Sequence, residues 1–234
     1  MNIKRRLKIF FSIILVCALG LFSNLQNDGI NVSTKAEIPS KIILDAGHGG
    51  FDGGAVADDG TVEKDINLNI TKNVCEMLKL SGFDVIMTRT EDIGTDSTDS
   101  DKIAERKKSD LKNRLLLMEK YPDAVYISIH LNKFTTSAAN GAQVFYSKNS
   151  EESAKIANFV QDTIKNQLQP YNDRVIKQGT SATYLLHNAT VPAVIVECGF
   201  LSNKRDLENL KTKEYQSKIS FSILCGILEY FSEK

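Results

Sequence analysis

The 234-residue chain is 42% hydrophobic, enough to bury one sizeable core and hardly two, so a single domain of catalytic size is expected. Lys plus Arg and Asp plus Glu both number 29, which leaves no bulk field and no basic stripe to attract nucleic acid. Beyond the first 40 residues only Cys75, Cys198 and Cys225 occur, each in an apolar context, and an odd, scattered set of this kind argues against a disulfide framework.

The chain begins MNIKRRLKIFFSIILVCALGLF, with Lys4, Arg5, Arg6 and Lys8 ahead of an apolar run from Ile9 to Phe22. That is the charged region and apolar region of an export signal. The run is shorter than the ~20 apolar residues of a spanning helix, and no small-x-small cleavage site follows it. Residues 1–23 are therefore read as a signal peptide or a retained N-terminal anchor, and the mature protein as secreted or membrane-anchored. Cys17 follows the bulky Leu15 and Val16, a context that does not suit lipidation. Residues 24–40 are polar and almost free of aromatics, which reads as a linker, and ordered structure is expected from Lys41 to the end of the chain.

From there strand-like and helical patterns alternate. KIIL is followed by a helical pattern over 62–80 with Ile66, Ile70, Val74 and Met77 in phase, Gly82 as a stop, and the strand FDVIMTR. A charged stretch over 91–108 reads as a solvated surface excursion, and a second helix carries Leu111, Leu115 and Met118. The strands AVYISIHLN and GAQVFYS precede a third helix with Ala157, Val160, Ile164 and Leu168. After the strand PAVIVECGF, one last helix is expected to carry Leu207, Leu210, Ile219, Ile223 and Ile227. The alternation implies an α/β fold of three layers, with a mostly parallel central sheet flanked by helices.

In such sheets the functional crevice lies outside the carboxyl ends of the strands, and the reactive residues fall there. The stretch IILDAGHGGFDGGA sets His48 among five glycines directly after the first strand, His130 closes AVYISIH, and Glu197 closes AVIVE. Glu63 sits in the first turn of the helix after the glycine loop, at the same edge. Two histidines and a carboxylate match a catalytic zinc site that keeps one position open for water. The intervals of 15 and 67 residues carry no short-range ligand signature. A strand-end histidine is also what a core imidazole bonded to backbone looks like, and an acidic residue in a first helical turn is favoured by the helix dipole alone. Glu197 resists a bland account, because a carboxylate after four apolar strand residues needs a metal, a partner or a raised pKa.

Other chemistries fit less well. GHGGFDGG puts Asp52 at the last glycine position of a dinucleotide loop, and Asp45, Asp52, Asp58 and Asp59 would repel a pyrophosphate. No G-x-S-x-G elbow occurs. Cys198 beside Glu197 is a candidate thiol nucleophile with His130 or His187, although a cysteine at an apolar strand end is more often packing. His187 has neither a carboxylate nor a glycine loop beside it and reads as peripheral.

The segments ILDAGHGGFDGGA, EKDINLNI, VIMTR, YISIHLN and PAVIVECGFLSN, in this order and at these intervals, resemble the zinc-dependent N-acetylmuramoyl-L-alanine amidases of the Amidase_3 type over essentially all of 41–234. The resemblance implies that His48, Glu63 and His130 hold Zn²⁺ and that Glu197 is catalytic, with peptidoglycan as substrate. ERKKSDLKNRLLLM, SIHLN and GAQVFY are similar to the sporulation and germination amidases of the spore cortex. That likeness implies removal of stem peptides ahead of muramic δ-lactam formation, in the cell wall or cortex space, with room for an activator protein. Many family members have a basic residue where His187 stands. The alternatives are a vegetative wall amidase, a zinc peptidase, and a wall-binding protein without catalysis.

Overall fold

The computed structural model describes residues 41–233, so the expected signal and linker over 1–23 and 24–40 lie outside the described residues. Six strands form one sheet in the order β2-β1-β3-β6-β4-β5: β1 (Ile42–Ala46), β2 (Val85–Met87), β3 (Val125–Asn132), β4 (Gln143–Tyr146), β5 (Lys177–Gln178) and β6 (Ala193–Phe200). β2, β1, β3 and β6 run parallel, and β4 pairs antiparallel with β6. The helices are α1 (Glu63–Leu80), α2 (Ile103–Lys120), α3 (Glu151–Gln167), α4 (Tyr184–Asn188), α5 (Lys204–Leu210) and α6 (Lys213–Ser232).

Alternation along the strands divides the core into two layers. Ile42 and Leu44 of β1, Val125, Ile127 and Ile129 of β3, and Val194 and Val196 of β6 pack with α1, α3 and α6. Ile43, Tyr126, Ala193 and Ile195 point to the other face and meet Met118 of α2 with Leu185 and Leu186 of α4. The expected three layers are present. α1 buries Ile66, Ile70 and Val74 as the periodicity predicts, while Met77 is only partly covered.

Two expectations need correction. The charged stretch is not wholly an excursion, because α2 begins at Ile103 inside it. Its first two turns lie on the surface, where charged side chains keep a helix soluble without an apolar stripe. The last helix is two helices, α5 and α6, separated by Lys211 and Thr212. The break is set by capping: Thr212 Oγ1 accepts the Tyr215 N–H at 3.2 Å and so starts a new helix. β5 and α4 were not foreseen. Among the described residues no helix is long and apolar enough to cross a membrane.

Candidate metal centre

β1 ends in the glycine loop, and the loop is bolted to the start of α1. Val62 gives α1 no side-chain cap, but the N–H groups of Glu63 and Lys64 donate to the carbonyls of Ala55 and Gly53 at 2.9 and 3.1 Å, which satisfies donors that a helix start otherwise leaves open. His48 lies in the left-handed region with φ 62°, uncommon for a residue with a Cβ. Gly49 and Asp52 exchange backbone hydrogen bonds of 2.9 and 3.0 Å beneath it. Glycine is required at two places around this histidine. A Cβ on Gly47 would stand 2.3 Å from the His130 ring, and one on Gly54, itself at φ 71°, would stand 2.6 Å from both Glu63 Oε2 and His48 Cδ2.

Three of the sequence-predicted residues converge. One ligand atom from each of His48, Glu63 and His130 lies within 4.8 Å of the others. Glu63 Oε1 is 3.3 Å from His48 Nε2 and 3.0 Å from His130 Nδ1, and the two rings meet edge to face at 4.9 Å. The same Oε1 accepts from Leu131 N at 3.0 Å and Asn67 Nδ2 at 3.1 Å, while Oε2 accepts from Ala55 N at 2.8 Å. Four nitrogens around one oxygen exceed its two lone pairs, so the imidazoles are not there merely to satisfy the carboxylate. The spacing fits a shared cation: ligands 2.0–2.2 Å from a tetrahedral zinc stand roughly 3.3–3.6 Å apart.

The surroundings fix the orientation and charge of these groups. Asp52 Oδ2 accepts from His48 Nδ1 at 3.0 Å, and a carboxylate that accepts there fixes the tautomer and leaves Nε2 facing Glu63. Burial opposes charge on His48, yet the Asp52 and Glu63 carboxylates outweigh it and raise the imidazole to about 9. Burial likewise opposes ionisation of Glu63, and the two histidines overcome it and hold the carboxyl well below its usual range.

Glu197 is the direct ladder partner of His130, on the same face of the sheet. It is half-buried, and its Oε2 is shielded from solvent without a hydrogen-bond partner. Burial pushes its carboxyl up to about 7, partly offset by the neighbouring His130. Cys198 points the opposite way into the α1, α3 and α6 layer, where burial holds its thiol protonated, so it does not join the cluster. His187 is exposed on α4 and does not line the cleft beside the cluster.

Sequence reasoning missed the residues that hold the loop. Arg114 of α2 is 2% exposed, ion-paired with Asp45 and Asp110, and donates to the carbonyls of Ala46 and His48 at 3.1 and 2.8 Å. Arg89, after β2, donates to Ala46 O at 2.9 Å and Gly47 O at 3.0 Å. Asp52 carried the clearest overlooked signal, a carboxylate four residues after the loop histidine.

A family profile described as N-acetylmuramoyl-L-alanine amidase matches residues 42–229. The chain is 38% identical over 193 residues to the germination-specific N-acetylmuramoyl-L-alanine amidase of Bacillus subtilis, spanning 82% of this chain and 80% of that one. It superposes on the CwlD amidase of Clostridioides difficile, solved in complex with the GerS lipoprotein, with a TM-score of 0.80 at 38% identity, over 83% of this chain and 100% of that one. The amidase AmiC2 of Nostoc punctiforme gives a TM-score of 0.69 at 27% identity, over 82% and 97%.

Proposed function

The chain belongs to the N-acetylmuramoyl-L-alanine amidase family, and from that premise we propose that it cleaves the muramoyl–L-alanine amide of peptidoglycan with one zinc ion held by His48, Glu63 and His130 and with Glu197 as general base. The observation that carries this reading is the convergence of the three ligand atoms within 4.8 Å beside a carboxylate whose shielded oxygen has no partner. When bound, zinc supplies Lewis acidity toward the scissile carbonyl and lowers the pKa of its water to about 7.

The chain's own residues do the rest. Asp52 holds His48 in one tautomer, and Asn67 with the Leu131 N–H holds the Glu63 carboxylate in place. Glu197 stays unligated, accepts a proton from the attacking water, and hands it to the departing alanine nitrogen. Burial raises the Glu197 carboxyl above its ordinary range, the direction that suits a group which must both accept and return a proton.

Likeness to a germination-specific relative supports a substrate in the spore cortex, where removal of stem peptides lets muramic δ-lactam form. The reading places residues 41–234 as the catalytic domain outside the membrane, with 1–23 as a signal peptide or N-terminal anchor and 24–40 as a linker. The CwlD–GerS complex supports a partner protein here as well.

Elemental analysis of protein purified without chelator, and mass spectrometry of peptidoglycan after incubation, test the chemistry. One zinc per chain and free stem peptides with an L-alanine N-terminus are expected. Absence of metal, or cleavage confined to bonds within the peptide, refutes it. Deleting the chain in a spore-former should leave cortex without δ-lactam, and δ-lactam at normal levels would reject the germination role while leaving the amidase intact.

A further inference from the structure

A cleft of about 160 Å³ adjoins the proposed metal ligands. Lys107 and Leu111 of α2, His48 and Asp52 of the glycine loop, His130 of β3 and Leu185 of α4 line it, together with the ion-paired cluster of Asp45, Arg114 and Asp110. Lys107 and Leu111 stand four residues apart and so share one helix face.

Arg114 and Lys107 both reach this cleft, and they differ in what they have left to offer. The Arg114 guanidinium is buried and committed to Asp45, Asp110 and the carbonyls of Ala46 and His48. The Lys107 side chain is 49% exposed, and its ammonium meets Asp52 Oδ1 at 2.9 Å. Asp52 itself is shared with His48 Nδ1 and the Gly54 N–H. An ammonium carries three donors, so Lys107 can keep Asp52 and still receive a second carboxylate. Leu111 and Leu185 add an apolar strip beside it, and the Asp45 and Asp110 carboxylates that also line the cleft are both neutralised by Arg114.

We propose that Lys107 is a specificity-determining residue that binds a carboxylate borne by the substrate peptide one residue beyond the scissile amide. The proposal rests on the amidase reading of the site. With the scissile carbonyl at the metal ligands, the Leu111 and Leu185 side chains beside the Lys107 ammonium suit a short apolar side chain followed by a carboxylate. The alanine methyl then meets Leu111 and Leu185, and the next residue, which in a stem peptide is acidic with its α-carboxylate free or amidated, meets Lys107.

The test uses the purified protein and two muramoyl peptides that differ only in whether that carboxylate is free or amidated. For wild type, Lys107→Met and Lys107→Arg, kcat/KM on each peptide and zinc content are measured. Wild type should favour the free carboxylate about tenfold, the order of one charge-assisted hydrogen bond. Lys107→Met should bring the ratio to about one, Lys107→Arg should keep it, and all three should hold zinc equally. Equal rates on both peptides with wild type reject the role of Lys107 and leave the amidase reading standing. An equal loss on both peptides in Lys107→Met, or a loss of zinc, assigns Lys107 to the support of Asp52 and His48 and overturns the proposal. If wild type cleaves neither peptide, the amidase reading falls and the subsite falls with it.

Discussion

Replacing Arg114 by Met separates what holds the fold from what holds the loop. Asp45 is fully buried, and the substitution removes the cation that offsets its desolvation. Breaking one side of a buried ion pair costs about 3–5 kcal/mol. Asp45 keeps Ser128 Oγ at 2.5 Å and Thr88 Oγ1 at 2.7 Å, which argues for the lower end, about 3 kcal/mol. At roughly 2–4 °C per kcal/mol for a chain of this size, the melting point should fall by about 6–12 °C. The control is Lys218→Met, which removes an exposed pair with Glu214 four residues away. Such a pair contributes about 0.3–0.5 kcal/mol, so its melting point should move by less than about 2 °C.

The second readout concerns His48, whose carbonyl loses its Arg114 donor while the backbone must still hold φ 62°. Ala46 keeps Arg89, but among the described residues no other side chain donates to the His48 carbonyl. Zinc affinity, measured by competition with a chelating dye at a temperature where the variant is fully folded, should drop about 10–100-fold, as when other supports of a metal site are lost. A melting point within 2 °C of wild type would refute the ion-pair argument. Unchanged zinc affinity in a destabilised but folded variant would refute the link from Arg114 to the loop.

The remaining expectations are simpler to state. His48→Ala and His130→Ala should each sharply lower zinc content in elemental analysis, and full occupancy in both would move the site elsewhere. Glu197→Gln should keep zinc and fold yet lose about 10²–10⁴-fold in turnover of muramoyl peptide, with Cys198→Ser near wild type; the reverse pattern would transfer the chemistry to the thiol. Burial opposes ionisation of Asp45, but Arg114 outweighs it and holds the carboxyl well below its ordinary range. A depressed folded pKa contributes stability in full above the unfolded value near 3.9, and that contribution is lost as pH falls toward the folded one. The melting-point gap between wild type and Asp45→Asn should therefore be constant from pH 7 to about 5 and shrink below about 4, and a gap that widens in acid would contradict this.

What the sequence made legible was whatever carries an apolar period. Ile66, Ile70 and Val74 mark α1, and the apolar runs before His130 and Glu197 mark β3 and β6, because a buried face must repeat with its element. The start of α2 was hidden since Ala104 to Lys108 pack against no core and leave no period to read. β5 is two residues long and α4 five, too short for any period, although α4 supplies the Leu185 wall of the cleft. The break at Thr212 was legible as a threonine cap but was masked by apolar residues on both sides. His48, Glu63, His130 and Glu197 were singled out from their places at strand ends and a helix start. Asp52, Arg89 and Arg114 were not, because their work is to grip backbone carbonyls and one imidazole, and such contacts leave no spacing rule behind.

The register of the sheet explains why the reactive groups meet at all. Ile43, Tyr126 and Ala193 form one row across β1, β3 and β6, and Asp45, Ser128 and Ile195 form the next. The third row places His130 against Glu197, with Gly47 beside it donating to Ile129 O at 3.1 Å. All three rows lie on the face toward α2 and α4. Moving along the strands, that face changes from apolar packing to a hydrogen-bonded ion pair and then to the proposed ligands and base. Each strand therefore encodes the change separately, as IILDA, YISIH and AVIVE, and only pairing brings the changes into line. A slip of β3 by one residue would turn His130 to the opposite face and would also put Ile129 where Arg114 and Asp45 need Ser128. The buried pair beneath the site thus penalises the same misregister that would scatter the proposed ligands, which is a physical reason for an ion pair to sit one row below them.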